Sequence, residues 1–113
     1  MIAEIVSLPR YEAQVKALMD EEERLAMEFY IACAPELHPL ISGAGGFRKA
    51  RWARSGQGKS GGYRVIYFYI EPPGRIYMAS IFAKSRQQNL SVADQNTLAN
   101  IAAAIKKEVR SGQ

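Results

Sequence analysis

The sequence predicts an α+β domain: a small, twisted, mostly antiparallel sheet packed by two N-terminal helices and one C-terminal helix, in the order β-α-α-β-β-β-α. Three observations predict it. Two stretches near the start and one at the end carry apolar residues at helical spacing behind capping residues. The middle, from Phe47 to Lys84, runs in strand-length apolar pieces divided by glycine- and proline-rich turns. Finally, 113 residues, 48% hydrophobic and 23% charged, suit a single domain over 1–113 with one core rather than a disordered chain.

The elements follow in order. Residues 2–7, IAEIVS, predict a short strand through Ile2, Ile5 and Val6. Ser7 and Pro9 suit a helix start, because proline's missing N–H is no loss in a first turn. Tyr11, Val15, Leu18 and Met19 continue that helix over 9–19. Asp20 with Glu23 makes a capping-box pattern for a second helix, and Glu21 to Glu23 favour its N-terminus through the helix dipole. Leu25, Phe29 and Ala32 are its predicted inner stripe and Pro35 its stop. The lone cysteine, Cys33, reads as a small buried apolar residue. Residues 35–46, PELHPLISGAGG, read as a loop whose glycines can take positive φ, rather than as a phosphate cradle.

Strand two covers 47–54. Phe47, Lys49, Arg51 and Ala53 share one face; Arg48, Ala50, Trp52 and Arg54 share the other. Residues 55–62, SGQGKSGG, form a flexible link. GQGKS resembles the end of a P-loop, but the first glycine of that pattern falls on Ala53 and a strand follows instead of a helix, which excludes an NTPase. Strand three, 62–70, is apolar on both faces, as a central strand covered on both sides must be. Arg64 interrupts one face. A buried ion is costly unless paired, so Arg64 sits at the rim, has a partner, or points into a cleft that awaits an anion. EPPG, 71–74, is a hairpin turn, and strand four, 75–84, pairs back antiparallel to end on Lys84. Ser91 and Asp94 cap the last helix. Leu98, Ile101, Ala102, Ile105 and Val109 form its apolar stripe, and Lys106, Lys107 and Arg110 favour its C-terminal dipole.

Charge is distributed unevenly. Residues 1–36 hold eight acids against three bases, a balance of −5, whereas residues 37–90 hold nine bases against Glu71 alone, +8. No Asp or Glu lies between Glu36 and Glu71, a window that contains Arg48, Lys49, Arg51, Arg54, Lys59 and Arg64. Cations on sheet-forming sequence with interleaved aromatics are suited to a polyanion. One cysteine and one histidine, His38, leave no disulfide and no metal site to expect, and adjacency in sequence does not make Cys33 and His38 a catalytic pair. No basic start followed by an apolar run marks a signal peptide, and no apolar run nears ~20 residues. The expectation is a cytoplasmic protein without membrane contact.

At GAGGFRKARWA, GKSGGYRVIYFY and IYMASIFAKS the sequence resembles the RelE/HigB superfamily of toxins, and its HigB-like branch most. The resemblance covers residues 40–92 through these motifs and the rest by element order. It implies a small sheet with two N-terminal helices and a cognate antitoxin encoded next door, a helix-turn-helix protein. It also implies cleavage of mRNA on the ribosome, without metal or cofactor. Arg64 matches the family's Gly-Tyr-Arg arginine and Lys84 its Ala-Lys at the end of strand four; Arg48, Lys49 and Arg51 occupy the region of its catalytic lysines and arginines. Two departures stand out. Ser85 follows Lys84 where several relatives have arginine, with Arg86 one further on. The C-terminal catalytic tyrosine of RelE has no match, Ser91 falling near its place.

RNA carries its own nucleophile, so Arg64 is expected to clamp the phosphate while Arg48, Lys49, Arg51 and Lys84 offset its growing charge. Arg54, Lys59 and Arg86 are expected to bind flanking phosphates. Trp52, Tyr63 and Tyr77 are candidates to stack a base, against a core role for Trp52 and Tyr63. A lysine lowered in pKa by its cationic neighbours would carry the proton. The rival reading is a non-catalytic nucleic-acid-binding or regulatory module that uses the same basic sheet.

Overall fold

A computed structural model describes residues 3–53, 62–84 and 90–112. Its elements are β1 (Glu4–Ser7), α1 (Pro9–Leu18), α2 (Glu21–Cys33), β2 (Phe47–Ala53), β3 (Gly62–Ile70), β4 (Arg75–Ala83) and α3 (Val92–Ser111). This is the order read from the sequence. The strands form one sheet, β1-β4-β3-β2. β1 runs parallel to β4, and the other two pairings are antiparallel. The GQGKS link, Arg54, Lys59 and Arg86 lie outside the described residues.

β3 is central, and its alternation builds two apolar layers where the sequence suggested one core. Val65 and Tyr67 join Tyr11, Val15, Met27 and Ile31 beneath α1 and α2. Ile66 and Phe68 join Phe47, Leu98, Ala102 and Ile105 beneath α3. Burying one such side chain stabilises by roughly 1.5–3 kcal/mol relative to leaving it exposed. We call the two sides of the sheet the helical-pair face and the α3 face.

α1 starts on Pro9 and turns Tyr11 and Val15 inward. α2 starts behind Asp20, whose carboxylate accepts the Glu23 N–H at 2.8 Å. Its inward stripe differs from the predicted one. Leu25 and Phe29 are 56% and 57% exposed, and the buried residues are Met27, Glu28, Ile31 and Ala32. The reason is an acid that buries. Glu28 accepts from the Tyr11 hydroxyl at 2.7 Å and from Arg24 Nε at 3.0 Å. Arg24 also donates to both oxygens of Glu12 and to Ser7 Oγ. This network joins β1, α1 and α2, and it turns α2 so that Leu25 and Phe29 face outward. Cys33 at the helix end is exposed, not buried as expected, because Ile31 and Ala32 take the inward positions there.

The 35–46 segment returns the chain to β2 beneath α3. Gly46 has φ 116° and passes so close to Phe68 that a Cβ would stand 2.9 Å from Cε1. No other residue combines that φ with that approach. α3 carries the expected capping box of Ser91 and Asp94.

β4 contains an irregularity that decides where its end points. Between Tyr67↔Met78 and Ile66↔Ser80 the register shifts, leaving Ala79 as the extra residue of a β-bulge. Ahead of it, Ile76 and Met78 face the helical pair; after it, Ile81 does. Phe82 falls on the α3 face.

Candidate nucleic-acid interface

The ladder sets the site. Arg51 on β2 stands directly opposite Arg64 on β3, and Lys49 stands opposite Ile66. Across β3, Arg64 is opposite Phe82. Such partners have Cβ atoms about 4.5–5.5 Å apart, and like charges in that relation repel. Lys84, the residue after the end of β4, extends the row: its N–H donates to Gly62 O at 3.0 Å, and two positions after Phe82 it keeps the register of the α3 face. The residues that α3 buries end at Phe47 on β2 and Ile66 on β3. Lys49, Arg51, Arg64 and Lys84 continue that face past the helix.

Among the described residues, no carboxylate pairs with this charge. Among the described residues, none of these four side chains has a hydrogen bond or ion pair. Burial, and then the charge of Arg51, push Arg64 below its ordinary pKa. The guanidinium stays protonated, and an arriving anion would offset both its burial and the repulsion from Arg51.

Beside the cations lies a cleft of about 420 Å³ between the sheet, the start of α1 and the N-terminal half of α3. Ile66, Phe82, Leu8 and Ile101 line it, with Arg10 and Asp94 among its polar residues. Phe82 therefore presents a ring next to Arg64. Sequence reading missed it because regular alternation from Ile76 would assign it to the other face.

The remaining candidates stand elsewhere. Arg48 is on the helical-pair face, opposite Tyr67, and donates to the carbonyls of Glu36 at 3.1 Å and His38 at 2.7 Å. Trp52 shares that face; its Nε1 donates to Glu23 at 3.1 Å and its ring meets Tyr30. Tyr63 packs there too, against the helical-pair core. Tyr77 is on the α3 face but 6% exposed, near the β1 edge, where its hydroxyl accepts from Arg75 at 3.0 Å. His38 is buried between the rings of Tyr30 and Tyr67, and burial first, then Arg48, lower its pKa. It belongs to the face away from the cations. Among the described residues, no three His, Cys, Asp or Glu side chains gather as metal ligands would, and no helix is long and apolar enough to cross a membrane.

The fold is an α+β domain with a mixed sheet, and cations that are unpaired among the described residues stand at one end of one face, an arrangement suited to a polyanion. Residues 41–111 match the family model described as the RelE toxin of the RelE/RelB toxin-antitoxin system, and the chain belongs to this family of toxins. Membership implies an antitoxin partner. Among solved structures, the chain is similar to a doubly arginine-to-alanine-substituted E. coli toxin RelE in the free state, with 16% identity over 86% of this chain and 96% of that one and a TM-score of 0.61. At that identity the likeness is one of fold.

Proposed function

We propose that this toxin is an mRNA interferase: a ribosome-dependent endoribonuclease of the cytoplasm that cuts mRNA and so stops translation, using neither metal nor cofactor. The observation that supports it best is the gathering of Lys49, Arg51, Arg64 and Lys84 at one end of one sheet face, none of them paired with an acid among the described residues.

In the reaction the ribose 2′-oxygen bonds to the adjacent phosphorus as the bond to the 5′-oxygen breaks. The 2′-hydroxyl loses a proton and the leaving oxygen gains one, giving a cyclic phosphate and a 5′-hydroxyl end. Negative charge grows on the phosphate oxygens between these states, and fixed cations stabilise it where water is scarce. Arg64 is the clamp, since a guanidinium donates to two oxygens at once. Lys49, Arg51 and Lys84 offset the charge, Phe82 stacks a base, and Arg54, Lys59 and Arg86 bind flanking phosphates. Arg48 has a structural duty instead, holding two carbonyls of the connection. The sole histidine is engaged on the far face, so orientation of the strand falls to the ribosome. The cognate antitoxin, a helix-turn-helix protein, covers the basic face with an acidic segment.

Expression in bacteria without antitoxin tests this. Growth arrest, with new 5′ ends mapping within translated frames and relieved by Arg64→Ala, is the expected result. Harmless expression and intact transcripts on translating ribosomes would remove the nuclease reading; tight RNA binding with no new ends would favour a binding module instead.

A further inference from the structure

We infer that Gln14 on α1 is a positioning residue that aims Lys84 at the substrate by holding the bulge of β4, an inference that rests on the nuclease reading above. β1 ends at Ser7, opposite Met78, so past that point β4 has no strand on its outer side among the described residues. The bulge falls just there. Gln14 reaches across from α1, and its Oε1 accepts from the Ile81 N–H at 3.0 Å and from Ser80 Oγ at 3.1 Å. One side-chain carbonyl thus takes the place of the missing strand and fixes both residues that follow the insertion.

What it fixes is a parity. With regular alternation from Ile76 and Met78, Phe82 and Lys84 would join the helical-pair face, away from Arg64. The inserted residue turns Phe82 to the α3 face and shifts the register of Lys84 with it; the ladder to β3 holds the turned segment on one side, and Gln14 holds it on the other. A slip of one residue would return Lys84 to the wrong side while leaving β1, β2, β3 and the helices in place.

The test compares Gln14→Ala with Gln14→Glu, which keeps an acceptor oxygen, in a cell-free translation system where mRNA cleavage is followed by primer extension. Gln14→Ala is expected to lower cleavage by roughly 10- to 100-fold, the scale of a misplaced catalytic group. Gln14→Glu should retain most of it. Hydrogen exchange at the Ile81 amide should speed up in Gln14→Ala and stay slow in Gln14→Glu. The deciding step is repetition in a Lys84→Ala background, where Gln14→Ala should add little further loss, because the group it aims is gone. An equal fold-loss in both backgrounds would mean general loosening and would overturn the assignment, as would full activity of Gln14→Ala beside an active wild type. A wild type that cuts nothing would instead sink the nuclease reading, and the positioning role with it.

Discussion

Arg48 and Arg64 have the same side chain, and their surroundings divide their duties. Arg48 spends its guanidinium on two backbone carbonyls. Arg64 has no partner among the described residues and faces Arg51. Arg64→Ala is therefore expected to lower ribosome-dependent cleavage by about 10²–10³-fold, the usual loss on removing one charge-stabilising donor. Arg64→Lys should recover part of this, keeping the charge but not the two-oxygen grip. Arg48→Ala should leave cleavage near wild type yet cost about 1–3 kcal/mol of stability, read by urea titration, because two carbonyls lose a charged donor. That Arg48 and Arg51 lie on opposite faces was legible in the alternation of strand two. Which of the two faces leaves its cations unpaired among the described residues was not, because that depends on where α3 and the 35–46 connection lie against the sheet.

Element order was legible because helical and strand periodicity, caps and turns are local signals. Face assignment failed where a long-range partner intervened. On α2, apolar spacing selected Leu25 and Phe29; the Glu28–Tyr11–Arg24 contacts, which join residues 17 apart and 4 apart, turned the helix otherwise. On β4, no residue type announced the bulge, since Gln14 lies 67 positions away from Ile81. The α1–α2 joint gives a prediction at this scale. Arg24 first, and Lys16 second, hold the Glu12 carboxyl down at about 2 from its ordinary 4.5. A group lowered on folding contributes stability that is full above its unfolded value and vanishes as pH falls to its folded one. Melting temperature should thus drop as pH falls from about 4.5 to about 2, and Glu12→Gln should flatten that part of the profile. An unchanged slope in Glu12→Gln would show that Arg24 holds the joint through Glu28 and Ser7 alone.

Across the whole molecule, the sheet keeps its two faces chemically apart. The acidic N-terminal segment forms the helical pair on one side, and Lys49 and Arg51 of β2, Arg64 of β3 and Lys84 just after β4 gather past α3 on the other. A single strand of RNA should therefore be held by one face, through few phosphates and with few released counterions. Single-stranded binding weakens with salt at a log–log slope of about −0.7 per neutralised phosphate. If Lys49, Arg51, Arg64 and Lys84 each meet one phosphate, together they should contribute about −3 to the slope for a short unstructured RNA, to which Arg54, Lys59 and Arg86 add through flanking phosphates. Removing Arg51 or Lys84 should lower its magnitude by about 0.7 each, whereas Arg48→Ala should leave it unchanged. Fluorescence anisotropy across a salt series reads this directly on catalytically silenced Arg64→Ala protein, whose own slope should be shallower than that of the unaltered protein by about 0.7. A slope that falls equally for Arg48 and Arg51 would mean that RNA wraps both faces, and the separation of structural from ligand-facing cations would fail.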